Sequence, residues 1–402
     1  MAIRLQPWQK VLLGLISGIL VGFFAGESAA VLKPFGDLFI RLIKMIIAPL
    51  IFCSIVSGIG HLENAKHLGR LGLKSVLTYC ACTTCAIFLG FIAAWIFRPG
   101  DGLVLIEGPK PDSKIFSLGE YLMNIVPESA VGAFAQGSIL QVVFFATFAG
   151  ITLLLMGDKS KPILFAIKEI TTVVFFMVQL IVKMAPLAAF AFMAWCVGTQ
   201  GVASLFSLGK LVCASFFAFS LQYIVFGLLI FFFGKLKPWP FYKKSIPYQL
   251  LAFSTSSSKA ALPMTMSIAE EKLGISKSSA SFVLPLGASM NMDGLAIYLG
   301  LCAVTFAQAA GRTLSLSEYG ILMLTATLGS IGGAGIPSGT LMMLPMVLGS
   351  LQLPLDGVAL IVGIDRIMDM MRTTINITGD SAVALVVDSS EKTHNAAVYY
   401  EK

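Results

Sequence analysis

The chain has 402 residues, of which 57% are hydrophobic and only 12% charged, with a mean hydropathy of +0.87. That balance excludes a large soluble enzyme and places the chain among polytopic membrane proteins. The net charge of +7 does not point to nucleic acid, because the basic residues sit in short connections between apolar runs, a positive-inside pattern.

Apolar runs near the roughly 20 residues needed to cross a hydrocarbon core recur along the chain. They are continuous rather than alternating, so helices, not barrel strands, must satisfy their backbones in lipid. The opening MAIRLQPWQK lacks a small-residue cleavage site, and the first span is expected to be retained. Spans are expected at 11–25, at 38–59 with Pro49 inside, and at 73–97, the third carrying Tyr79, Thr83 and Thr84. Lys66, Arg70 and Lys74 follow the second span and put the N-terminus on the cytoplasmic side.

Arg98-Pro-Gly stops the third span, and 98–116 reads as an external loop. A fourth, irregular span has its main run at 139–156, and a charged turn at 158–161 follows. The fifth runs through Pro186 from 163 to about 196. The sixth, at 205–233, has no charge after Lys210 and reads as a lipid-contacting or packing helix. Lys235, Lys237, Lys243 and Lys244 then mark the cytoplasm again, as six crossings require. The seven cysteines lie in apolar segments and make no extracellular disulfide framework. Of Cys80, Cys82 and Cys85, only the last two share a helical face, which fits buried thiols rather than a metal site. None of the three histidines is placed for ligation.

From 245 the pattern changes. Segments 245–275 and 316–350 are each interrupted by small and polar residues, Ser254-Thr-Ser-Ser-Ser-Lys-Ala-Ala-Leu-Pro263 in one and Gly329-Ser-Ile-Gly-Gly-Ala-Gly-Ile-Pro-Ser-Gly-Thr340 in the other. Non-helical backbone at membrane depth is tolerated only where it lines protein or a cavity, so both read as re-entrant hairpins. Each precedes a helix with a polar insert, Asn291-Met-Asp-Gly294 after the first and the stretch 365–380 after the second. A repeated hairpin and broken polar helix is the organisation of a transporter with a midplane site.

In 365–380, DRIMDMMRTTINITGD, the residues Asp365, Asp369, Arg372, Asn376 and Asp380 fall within roughly an 80° arc of one helix. A charge at the bilayer centre costs about 2.5 to 3.5 kcal/mol on insertion scales, so this stripe must face partners, water or ions. With Asp293, four carboxylates stand against the one guanidinium of the stripe, and protons or small hard cations must supply the balance. Arg372 suits two-point contact with a carboxylate of a solute, and Asp369, one turn away, suits an ammonium.

These residues resemble a known family. NMDG at 291–294, the serine-rich tip at 254–263, GIP at 335–337 and the 365–380 motif resemble the dicarboxylate/amino acid:cation symporters, the glutamate and aspartate transporters, and the likeness covers nearly the whole chain in span order. It implies an all-α polytopic membrane protein of eight transmembrane helices and two re-entrant hairpins, working as an elevator in a homotrimer in the cell (inner) membrane. The scaffold would be 1–69 and 99–202, the moving transport domain 70–98 and 203–389, and 390–402 a cytoplasmic tail beside a cytoplasmic N-terminus. The implied activity is sodium-coupled uptake of acidic amino acids, with sodium as the coupling ion, no other cofactor and no enzymatic reaction.

Carried over residue by residue, the resemblance implies that Arg372 binds the substrate side-chain carboxylate and Asp369 its amino group. Asn376 and Thr373 would contact the substrate backbone, and Ser258, Ile336, Pro337 and Thr340 would line the site from the hairpins. One sodium site would use Asp380 with carbonyls of Gly287, Asn291 and Asn376. A second would use backbone of Ser289, Met292, Ser330, Ile331 and Gly333, and a third Asp293 with Asn291, Tyr79 and Thr83. Asp365 would support from behind. The chain departs from the family at Leu295, where threonine is usual, at Thr340, where glycine is common, and at Lys259 in the serine tip, while Arg366 is placed to stand in for a missing tip arginine. Leu299 replaces the glutamate of proton-carrying animal members, which argues against that carrier. Two readings stay open beside this one: proton-coupled uptake of glutamate, aspartate or C4-dicarboxylates, and an intramembrane hydrolase using Ser258 and Lys259.

Overall fold

The structure is a computed structural model that describes residues 7–60, 69–103, 123, 126–201, 203–332, 339–355 and 357–401. Among these, every regular element is helical: α1 (Pro7–Ala25), α2 (Lys33–Gly60), α3 (Gly69–Phe97), α4 (Ala130–Gln136), α5 (Ile139–Met156), α6 (Lys161–Val182), α7 (Ala185–Gln200) and α8 (Ala203–Phe232). There follow α9 (Pro238–Thr255), α10 (Ser258–Glu271), α11 (Lys277–Met290), α12 (Asp293–Ala309), α13 (Leu316–Gly332), α14 (Gly339–Ser350), α15 (Gly357–Ser390) and α16 (Ala396–Tyr400). Five stretches of the described residues are long and apolar enough to cross a membrane, 9–39, 70–97, 144–181, 206–232 and 277–309. The span expected at 163–196 is two helices, because the turn at Lys183-Met184 lets Pro186 enter the first turn of α7, where its missing N–H loses no helical bond.

Helix α1 packs along α7, and α2 packs on α5, α6 and α7. The α1 seam is built of glycines at four-residue spacing. A Cβ at Gly14, Gly18 or Gly22 would lie 2.3, 2.4 or 2.5 Å from the carbonyl oxygens of Pro186, Phe190 and Ala194. Small residues let helix backbones approach where lipid removes any hydrophobic drive between them. Gly18→Ala is therefore expected to lower the unfolding temperature in detergent, overpacking outweighing the roughly 1 kcal/mol gain in helix propensity. At Gly209, where a Cβ meets nothing within 4 Å, alanine is expected not to lower it.

A second group gathers around α15. Helices α9, α11, α8 and α12 pack on it, and α3 lies along α12 and α8. Gly90 and Gly100 permit this approach, since a Cβ there would lie 2.4 and 2.2 Å from the carbonyls of Ile297 and Thr305. The window within 277–309 is 94% buried, against 17% within 9–39, so the broken pair α11–α12 is the interior of the molecule and α1 its periphery.

Both hairpins are present as helix pairs. In the first, α9 ends with Ser256 in the left-handed region (φ +51°), and the Ser257 hydroxyl accepts the Ala260 N–H to start α10. In the second, α13 and α14 flank residues 333–338, which lie outside the described residues. Each base is tied: Lys244 Nζ donates to the Lys272 carbonyl at 2.9 Å, and Arg312 Nη1 to the Leu351 carbonyl at 2.8 Å. The segment after α15 is docked as well. Asp388 accepts from the backbone N and hydroxyl of Ser276, and the Tyr399 hydroxyl donates to the Lys237 carbonyl at 2.8 Å.

Candidate substrate and cation site

Helix α15 passes the broken α11–α12 pair, and its polar stripe lands there. Asp365, Asp369, Arg372, Asn376 and Asp380 are between 1% and 6% exposed, so the stripe faces protein and not lipid. Arg372 is oriented from several directions. Its Nη2 donates to Asp365 Oδ1 at 3.1 Å and Asp369 Oδ1 at 2.9 Å, and its guanidinium carbon stands 5.0 Å from the Tyr298 ring centroid. Its Nη1 is buried with no protein partner. A guanidinium fixed on one edge and open on the other is prepared for an anion. Arg366 Nη1 stands 3.7 Å from Asp369 Oδ2, so Asp369 lies between two guanidiniums.

One turn along α15, Asn376 holds the break open. Its Oδ1 accepts the Gly294 N–H at 2.8 Å and its Nδ2 contacts Met292 Sδ at 3.0 Å, while Asn291 is extended (φ −100°, ψ 101°). Only glycine fits at 294, where a Cβ would lie 2.7 Å from the Arg372 Cα.

A further turn on, acceptors collect. Asn291 Nδ2 donates to Asp380 Oδ1 at 3.1 Å, leaving Asp380 Oδ2 and Asn291 Oδ1 buried with no protein partner. A Cβ on Gly287 would sit 2.5 Å from both Asp380 Oδ1 and the Tyr79 hydroxyl. The fully buried Asp293 accepts from Thr83 Oγ1 at 3.1 Å and from Gln222 Nε2 at 3.2 Å. Buried acceptors at the C-terminal end of a half-helix are the chemistry of a small hard cation.

The model of the sodium:dicarboxylate symporter family matches residues 8–390. The chain belongs to this family. It is 38% identical over 392 residues to a C4-dicarboxylate transport protein of Rhodospirillum rubrum, covering 94% of this chain and 87% of the relative. It is 36% identical over 394 residues to a C4-dicarboxylate transport protein of Laribacter hongkongensis, covering 94% and 88%. It is also 36% identical over 409 residues to a proton/sodium-glutamate symport protein of Bacillus caldotenax, covering 96% and 95%. The chain is thus a member of a family of transporters.

The remaining expected positions of this symporter fall as follows. Ser258 is buried in the first turn of α10, Thr340 in the first turn of α14 with its Oγ1 unpartnered, and Ser330 and Ile331 end α13. Ser289 is half-buried in the last turn of α11. Thr373 donates its hydroxyl to the Asp369 carbonyl at 2.8 Å, and Tyr79 donates to the Val283 carbonyl at 2.9 Å. Gly333, Ile336 and Pro337 lie outside the described residues.

Three contacts escape the sequence reading. Gln222 is a single amide in a helix read only as lipid-contacting or packing, yet it is fully buried and bonded to Asp293. Tyr298 lies one helical turn beyond the NMDG break and carries no charge to mark it. The Arg366–Asp369 pair was readable as an i, i+3 spacing on α15.

Proposed function

We propose that this protein is a secondary active symporter that takes up acidic amino acids, aspartate or glutamate, with inward sodium flux. The observation that carries the reading is a pair of buried polar atoms on one helix that no protein group satisfies: the donor Nη1 of Arg372 and the acceptor Oδ2 of Asp380. The two residues are eight apart on the helix, so their backbones are separated by about 12 Å along the axis, room for an anion and a cation in one site. Arg372 binds the side-chain carboxylate, Asp369 the ammonium, and Asn376, Thr373, Thr340 and Ser258 the rest of the substrate. Asp380 with Asn291 and Gly287 holds one sodium ion, and Asp293 with Thr83, Tyr79 and Asn291 another. Backbone of Ser289, Met292, Ser330 and Ile331 serves a third, and Asp365 positions Arg372. Neither Asp293 nor Asp380 has a protein cation among its hydrogen-bonding partners, so each calls for positive charge in the cycle.

Helix packing is densest within two groups, α1, α2 and α5–α7 in one and α3 and α8–α15 in the other, which meet mainly where α7 and α1 lie on α15. That division supports an elevator, the first group as scaffold of a homotrimer in the inner membrane and the second as the moving part. Both termini lie in the cytoplasm on this reading. In proteoliposomes, an inward sodium gradient is expected to accumulate labelled aspartate several-fold over the equilibrium level, and a proton gradient without sodium is expected to give none. Accumulation on the proton gradient alone would reverse the assignment of the coupling ion.

A second reading has its own observation. Asp369 is shared by Arg366 and Arg372, which reduces its capacity for an ammonium and suits a C4-dicarboxylate, the substrate class in the names of two of these relatives. Succinate competing with aspartate at equal or lower concentration favours this reading, and weak competition the first.

A further inference from the structure

Outside the transport site, the corner where α8 meets α9 carries a groove of about 450 Å³. Its walls are Tyr223, Ile224, Leu228 and Phe231 of α8 with Pro238 and Tyr242 of α9, and almost no polar surface reaches it. Gly227 forms its floor. A Cβ there would lie 2.8 Å from the Tyr242 hydroxyl, which itself donates to the Tyr223 carbonyl. Glycine at 227 thus lets the tethered Tyr242 ring sit against α8 as one wall of the groove.

The outer wall is apolar and exposed: Ile224, Leu228 and Phe231 are all about half exposed or more, and Phe232 and Phe233 continue the surface. At the end of α8 the surface turns basic. Lys235 and Lys237 flank the entry to α9 and Lys243 follows the lining residue Tyr242, all three exposed. The chain has no Asp or Glu from 170 to 269. Lys244 is occupied elsewhere, donating to the carbonyls of Lys272, Val398 and Tyr399 with Glu401 as its nearby acid. Trp239, 75% exposed, lies in sequence between Lys237 and Lys243 and supplies an amphipathic ring of the kind that sits at the headgroup level.

We propose that this corner binds one anionic phospholipid, an acyl chain lying in the groove between α8 and α9 and the headgroup phosphate on Lys235, Lys237 and Lys243. Charge complementarity selects the headgroup, since basic clusters at a membrane face attract anionic lipid at about 1 kcal/mol per residue. The groove adds the hydrophobic term of a buried chain, which a free phosphate lacks. The lysine stems can run along the apolar wall while their ammonium groups stay at the interface.

Native mass spectrometry of the purified full chain, titrated with dioleoyl-phosphatidylglycerol or dioleoyl-phosphatidylcholine, tests this. The wild type is expected to retain the anionic lipid about tenfold more readily than the zwitterionic one. The combined Lys235→Gln, Lys237→Gln and Lys243→Gln variant is expected to lose that preference. Leu228→Trp, which fills the groove, is expected to lower retention of both lipids, and unchanged thermal unfolding shows each variant folded. An unaltered preference in the triple glutamine variant, or unaltered retention in Leu228→Trp, overturns the proposal. Retention of sn-glycerol 3-phosphate alone overturns it too, by assigning the lysines to a free phosphate.

Discussion

Arg372→Gln is expected to abolish binding of acidic substrates while the protein still folds at reduced stability. Truncating one partner of a buried charge pair costs about 2 to 5 kcal/mol in binding, a loss of roughly 30- to several-thousand-fold in affinity. Two effects combine here. The substrate carboxylate loses its forked donor, and Asp365 and Asp369, both bonded to Arg372 Nη2, lose the charge that compensates them. Arg366 near Asp369 softens the second effect but cannot replace the first, because its Nη1 is 3.7 Å from that carboxylate on the other side. Arg372→Lys separates the terms. It keeps the charge, and with it most of the stability, but its point charge cannot bond both aspartates and a ligand in one plane. Calorimetric titration with aspartate, read beside thermal unfolding, measures both. Affinity for aspartate within about threefold of wild type in Arg372→Gln would show that another residue anchors the anion.

The second large effect is expected at Asp380. Asp380→Asn preserves shape and one hydrogen-bonding oxygen but removes the negative charge from the place where Asn291 Oδ1 and Asp380 Oδ2 are both buried without a protein partner. The sodium concentration for half-maximal uptake is expected to rise by about 30-fold or more, the order set by removing one charge from a buried pair. The substrate affinity at saturating sodium should change far less. Asp388→Asn is the comparison. That carboxylate is also on α15 and fully buried, but it accepts from Ser276 and Thr393 to hold the terminal segment. Its loss is expected to lower thermal stability with the sodium dependence unchanged. If Asp380→Asn and Asp388→Asn behave alike in sodium, the cation has been assigned to the wrong end of the helix.

Two of these positions show how legibility depends on distance along the chain. Asp380 and Arg372 were visible because helical periodicity is local: five polar residues within one narrow arc of an apolar segment have few physical explanations in a membrane. The breaks at 254–263 and 291–294 were visible for a related reason, since serine, glycine and asparagine at membrane depth mark backbone that leaves the helix. By contrast, Gln222 reaches Asp293 across 71 positions and Thr83 reaches it across 210. Nothing in the composition of α8 names that partner.

Where the expected elements were displaced, local chemistry and packing acted together. The single span expected at 163–196 became α6 and α7, the chain turning at Lys183-Met184 so that Pro186 falls in the first turn of α7, which then lies along the glycine face of α1. The residues after α15, expected as a simple tail, return to Gly274, Lys237 and Lys244 through hydrogen bonds spanning more than a hundred positions. Such contacts form only once the helices have been placed.

By itself, then, the order of residues determined that this protein is helical and belongs in a membrane, that its chain is interrupted at 254–263 and at 291–294, and that one face of 365–380 gathers buried charge. Each follows from hydropathy and from a period of 3.6, which neighbouring residues set among themselves. The tertiary structure alone decided which edge of Arg372 is used and which remains open. It also decided that Asp369 is shared by two guanidiniums, and that Asp380 faces Asn291 rather than a cation of the protein. Those outcomes depend on the angle at which α15 crosses α11 and α12, and that angle is set by side-chain volume and glycine contacts contributed by every helix around it.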